Sequence, residues 1–216
     1  MVAAVVAAVV AAVVFVLRAV MVVRHGPRQG VSRLDAPLWS CKLGDMRTLM
    51  LLRHAKSSWD DPDLGDHERP LNKRGTRDAS RMGALIADLE LTPDVVLCSD
   101  AVRARATLTL VLSALGGEAP QVNVEPRLYL AEPAAIMELV RALPAECRRC
   151  LVVAHNPGIH SLALEMTGSG ERKAVAALAV KFPTGALAVI DLDADTWRGT
   201  RPGTGRLRRF AQPKEL

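Results

Sequence analysis

Leu49-Met50-Leu51-Leu52-Arg53-His54-Ala55-Lys56-Ser57-Ser58-Trp59 is the stretch on which the fold turns. Four apolar residues stop at a cation and an imidazole, and small and polar residues follow. A short apolar run with such a stop reads as a buried strand over 47–52. Its end delivers Arg53 and His54 to one edge of a sheet. In open α/β sheets that edge, outside the carboxyl ends of the strands, is where ligands bind.

Working outward, the chain alternates between the two periodicities. Residues 57–70 are polar and acidic and read as a loop over the sheet edge. Asn72 is a good N-cap for a helix with Ala79, Met82, Leu85, Ile86 and Leu89 on one face. Strands are expected at 94–98, 122–124 and 150–154. Helices are expected at 101–115, ended by Gly116-Gly117, and at 133–143, 157–167 and 172–178. A strand at 186–192 and a hairpin partner at 206–210 close the list. Strands alternating with helices predict a three-layer α/β/α fold with a largely parallel central sheet. Residues 46–216 are expected to form that domain, and residues 1–45 to be an extension outside it.

The formal charge of +5 is uneven. Residues 196–216 carry six Lys/Arg against one acid, and residues 1–45 carry five against two, so the body between them is net acidic. Basic ends on an acidic body argue against nucleic-acid binding, which needs a basic face on the folded domain. Cys41, Cys98, Cys147 and Cys150 do not make a disulfide framework in a chain of 216 residues. The Cys147-Arg148-Arg149-Cys150 spacing lacks the second ligand pair of a zinc site. Thiols without an export signal point to the cytoplasm. Residues 2–17 are only Val, Ala, Leu and Phe. A membrane anchor needs about 20 such residues, and Arg18 interrupts this run. The blocks read best as translation from an upstream start, with a membrane-anchored protein as the alternative if residues 1–23 are a true anchor.

Three strand ends then carry polar side chains in equivalent settings. The first supplies Arg53 and His54. The second runs through Ser99 and Asp100 to Arg103, in the first turn of a helix. The third gives His155 and Asn156. Parallel strands would bring two imidazoles and two guanidiniums into one pocket. Guanidinium forks suit tetrahedral oxyanions, and helix N-termini near 101 and 157 add donors. That chemistry describes a phosphoryl group. One imidazole can attack phosphorus while the other groups hold its oxygens. With no acidic cluster at these ends, neither a metal nor a cofactor is expected. Arg24-His25 imitates the first strand end but leads into a Pro/Gly-rich linker, and is read as a decoy.

These residues resemble the signatures of the histidine phosphatase superfamily. Leu52 to Ser57 is similar to its Arg-His-Gly/Ala element, and Arg69-Pro70-Leu71-Asn72 with Gly75 to the segment that follows it. Ser99 to Ala104 with Thr107, and Val153 to Pro157, are similar to the second and third signatures. The Arg-His-Ala-Lys-Ser form, Lys181 to Ala186 and the last seven residues look most like SixA-type phosphohistidine phosphatases. The resemblance implies a phosphoglycerate-mutase-like fold. It implies His54 as nucleophile, with Arg53, Arg103 and His155 on the phosphoryl oxygens and Lys56, Ser57 and Asn156 binding substrate. Larger members carry a carboxylate proton donor after the third strand. Here Leu130 stands where the acid is expected, leaving Glu132, or an acid of residues 60–66, as the donor. The implied activity is a metal-independent phosphatase acting on phosphohistidine proteins or small phosphorylated molecules. A phosphoglycerate-mutase-like phosphotransferase and a non-catalytic phosphate-binding module are the alternatives.

Overall fold

The computed structural model describes residues 46–216. The expectations on residues 1–45, including His25, Cys41 and the start site, lie outside them.

β1 (Met46–Arg53) is the strand that the opening stretch predicts. It is followed by α1 (Lys73–Asp88), β2 (Val95–Cys98), α2 (Val102–Leu115), β3 (Gln121–Val124) and α3 (Pro133–Arg141). β4 (Arg149–Ala154), α4 (Gly158–Met166), β5 (Thr167–Gly170), α5 (Arg172–Val180), β6 (Leu187–Asp193) and β7 (Gly205–Ala211) complete the order. The strands form one sheet in the order β3-β2-β4-β1-β6-β7-β5. β3, β2, β4 and β1 run parallel to one another. β6 is antiparallel to both of its neighbours, which makes the expected hairpin with β7.

The sheet is covered on both faces because successive strand residues point to opposite sides and both sides are apolar. Met50 and Leu52 pack with Met82 and Ile86 of α1 and Ala104, Leu108 and Val111 of α2. Leu49 and Leu51 pack with Ile136 and Val140 of α3 and Ile159 and Leu162 of α4. Each of these four β1 residues is fully buried, which stabilises the fold by about 2 kcal/mol per side chain. Asn72 caps α1 by accepting from the Gly75 N–H at 2.8 Å. Gly75 also sits where α1 crosses the end of β1. A Cβ there would lie 2.1 Å from the Lys56 carbonyl oxygen, so no other residue fits.

One strand went unpredicted. β5 is Thr-Gly-Ser-Gly, without the branched or alternating residues that mark a strand, and its pairing with β7 comes from tertiary contact. No helix of the described residues is long and apolar enough to cross a membrane. Cys147 and Cys150 are buried, and burial pushes both thiols above their ordinary pKa, the opposite of a reactive pair.

Candidate active site

The register of the central strands sets the site. Arg53 lies beside Ala154, and Cys98 beside Val153. The ladder continues one residue further, with His54 N–H donating to Ala154 O and Ser99 N–H to Val153 O. Arg53, His54, Ser99 and His155 therefore leave the sheet at one edge. Arg103 reaches the same place from the first turn of α2.

The rings of His54 and His155 lie 4.9 Å apart, centroid to centroid. His54 Nδ1 is 2.8 Å from the Ala55 carbonyl oxygen, which can only accept, so Nδ1 carries the proton. Nε2 is then a lone pair, and Arg103 Nε–H points at it from 3.4 Å. His155 shows the complementary arrangement. Its Nδ1 faces Arg103 Nη2 at 3.3 Å, so Nε2 bears the proton and donates to Ser99 Oγ at 2.8 Å. Burial, followed by Arg103, Arg53 and Arg69, lowers the His54 pKa to about 4, against the backbone bond to Ala55. Burial, His54 and Arg103 lower that of His155 to about 3. Both rings are neutral at physiological pH, and His54 presents an unprotonated nitrogen to the pocket.

This has a pH consequence. Carbon-detected NMR titration of the free protein should place both imidazole midpoints below about 5, with His54 near 4. Midpoints near 6.5 would contradict the buried, cation-flanked site. Because the folded-state values lie below 6.5, the unfolded chain takes up protons that the folded chain refuses. Stability is therefore full above 6.5 and falls as the pH drops towards 4.

The cations are held from behind. Arg53 Nη1 donates to the Phe182 carbonyl at 2.9 Å, and Asn156 Nδ2 donates to the same oxygen at 3.0 Å. That gives the 181–186 segment a structural task at the site. Thr107 Oγ1 accepts from the Ala55 N–H at 2.9 Å and donates to the Arg103 carbonyl at 2.6 Å, joining the first strand end to α2. Ser57 is buried and accepts from Arg69 Nη2 at 2.7 Å, whereas Lys56 is exposed. Asn156 Oδ1 is buried without a protein partner.

Glu132 is exposed at the N-cap of α3, with no side-chain cap bond. Leu130, two residues earlier, is half-exposed with φ 49°. The carboxylate bonded into the site is instead Asp66, from the 3₁₀ turn Asp66–Glu68. Its Oδ2 accepts from Arg103 Nη2 at 2.8 Å and from Tyr129 Oη at 2.7 Å. The Tyr129 bond and the two guanidiniums, Arg103 and Arg69, hold its pKa below the usual range. Sequence reasoning placed Asp66 only within an acidic stretch and missed Tyr129, the single tyrosine of the chain. The available signal was the Asp66-x-x-Arg69 spacing, which pairs the two across one turn at 3.3 Å.

Residues 49–129 match the sequence profile of the histidine phosphatase superfamily, branch 1. An uncharacterized protein of Mycobacterium leprae is 38% identical over 167 residues, 76% of this chain and 100% of its own length. The chain belongs to the histidine phosphatase superfamily. Among solved structures of this superfamily, SixA of Nakamurella multipartitia, a proposed phosphohistidine phosphatase, superposes with a TM-score of 0.68 at 30% identity. The match covers 78% of this chain and 96% of that one. SixA of Agrobacterium tumefaciens, also a proposed phosphohistidine phosphatase, gives 0.65 at 31% identity over 77% of this chain and 98% of its own. The chain has the phosphoglycerate-mutase-like α/β fold of that superfamily.

Proposed function

We propose that this superfamily member is a metal-independent phosphatase that works through a phosphohistidine at His54. The observation that carries this reading is the contact of His54 Nδ1 with the Ala55 carbonyl, which turns Nε2 towards Arg103 as a lone pair with the His155 ring beside it. In the first step the Nε2 lone pair attacks phosphorus, and the bond from phosphorus to the leaving nitrogen or oxygen breaks. Arg53, Arg103 and the His155 ring hold the equatorial oxygens and offset charge that a metal would otherwise neutralise. In the second step water attacks the phosphorus of phospho-His54, inorganic phosphate departs, and the electron pair returns to Nε2.

The leaving group decides how much acid help is needed. Asp66 is held ionised, and Glu132 is exposed without a bond into the site. Asp66 is therefore no ready proton donor, and Glu132 is not bonded into the place where a donor would stand. An imidazole leaving group, which can carry its own proton on the far nitrogen, suits such a site better than an alkoxide. Phosphohistidine proteins are therefore the preferred substrate class, with small phosphorylated molecules bearing good leaving groups next. Phosphoglycerate mutases match this chain over a limited part only; that of Xanthobacter autotrophicus aligns over 36% of its own length. A mutase reading has no further support.

The test is turnover of a phosphoramidate and of p-nitrophenyl phosphate in excess EDTA. The rate should be unchanged by the chelator, and kcat/KM should favour the phosphoramidate. Loss of activity on chelation, restored by a divalent cation, would overturn the mechanism. Binding of phosphate without any turnover would leave a phosphate-binding module instead.

A further inference from the structure

We propose that Asp66 is a positioning residue: a carboxylate shared by Arg69 and Arg103 that aims the Arg103 guanidinium at the phosphoryl group. The inference rests on the reading of this pocket as a phosphoryl site. Two sides of the Arg103 guanidinium are engaged differently. Nε and Nη2 face the imidazole nitrogens of His54 and His155 at 3.4 and 3.3 Å, both long contacts. Nη1 and Nη2 meet Asp66, through its carbonyl oxygen and through Oδ2 at 2.8 Å. The contacts with Asp66 are the stronger set, because Oδ2 is a carboxylate oxygen and lies closer than either imidazole nitrogen. The inner donors are therefore the ones that exchange for phosphoryl oxygens, while Asp66 keeps the outer side in place.

Asp66 is itself anchored from two directions. Tyr129 donates to Oδ2. Arg69 Nε lies 3.3 Å from Oδ1. Arg69 is buried, donates to Ser57 Oγ, and has Trp59 stacked 3.4 Å from its guanidinium carbon. The Arg69-Pro70-Leu71 segment thus acts on the chemistry through Asp66, with no contact to His54 required. Asp66 is about half exposed, so its placement comes from these partners and not from enclosure.

A carboxylate beside an anion site has two opposed effects. It repels the incoming anion, and it fixes the arginine that binds it. Removing it strengthens anion binding if repulsion dominates and weakens it if positioning dominates. The sign is therefore decisive.

Tungstate, a tetrahedral dianion that is not turned over, is titrated by calorimetry into the full chain. The same is done for its Asp66→Ala, Asp66→Asn, Tyr129→Phe and Arg103→Ala variants and the Asp66→Ala/Arg103→Ala double variant, with circular dichroism reporting the fold. Asp66→Ala should weaken tungstate and lower kcat/KM for p-nitrophenyl phosphate, each about 10- to 100-fold. Asp66→Asn and Tyr129→Phe should lose less, in the same direction. In the Arg103→Ala background, Asp66→Ala should cost nothing more. Tighter tungstate binding, a loss undiminished without Arg103, or a loss that grows with leaving-group pKa would each overturn the proposal. A wild-type chain that neither binds tungstate nor hydrolyses ester removes the phosphoryl pocket and this inference together. One that does both but is indifferent to Asp66→Ala removes the inference alone.

Discussion

His54→Ala abolishes turnover, by at least about 10,000-fold in kcat, while leaving the fold intact. The size follows from the role. On the mechanism proposed above, the other groups of the site bind and polarise, and none is a second nucleophile in the same position. Among the described residues of the site His155 is the rival, and its bonding argues against it. Its protonated Nε2 is committed to Ser99 Oγ, and its Nδ1 is turned to Arg103. In His54 the proton is tied to the chain's own Ala55 carbonyl, which leaves Nε2 for the substrate. His54 is buried, so Ala creates a small polar space and no lost apolar packing. A thermal melt should fall little, and steady-state rates with p-nitrophenyl phosphate measure the loss. His25→Ala, by contrast, should leave the rate unchanged. Loss of activity in His25→Ala with retention in His54→Ala would move the site to the other Arg-His pair.

Arg103→Ala lowers kcat/KM by roughly 1,000-fold, the magnitude seen when a guanidinium that offsets transition-state charge in phosphoryl transfer is removed. Arg103 lies within reach of both imidazoles and Asp66. Arg103→Lys recovers little, because an ammonium is a point charge and cannot serve both sides at once. Arg103→Ala also loses the charge that helps to depress both imidazole pKa values. The pH profile of Arg103→Ala should accordingly move its acid limb upward. A rate within tenfold of the native chain in Arg103→Lys would mean that charge alone suffices.

Much of this site is legible in the sequence. The abrupt stop after Leu52, repeated after Cys98 and Ala154, located three parallel strand ends. Parallel register does the rest, since it places Arg53 beside Ala154 and Cys98 beside Val153. The residues that sequence reasoning left unplaced or missed share a cause. Asp66 and Tyr129 sit on connections whose path depends on tertiary contact, and their spacing to Arg103 carries no local periodicity. β5 escaped for a related reason, because Thr167–Gly170 is held by β7 and has no strand pattern of its own. The Phe182 carbonyl could not be foreseen at all: a backbone oxygen has no sequence signature, yet it fixes both Arg53 and Asn156. Glu132 drew attention by position in the chain, and the geometry gives Asp66 the contact with Arg103.

The central claim is a covalent bond between His54 and phosphorus. Rapid alkaline quench during turnover of a phosphoramidate, followed by peptide mass spectrometry, tests it directly. One phosphoryl group is expected on the peptide that carries His54, lost on brief acid treatment and absent in His54→Ala. Turnover at the native rate with no phosphopeptide, or with the phosphoryl group on another side chain, would contradict it.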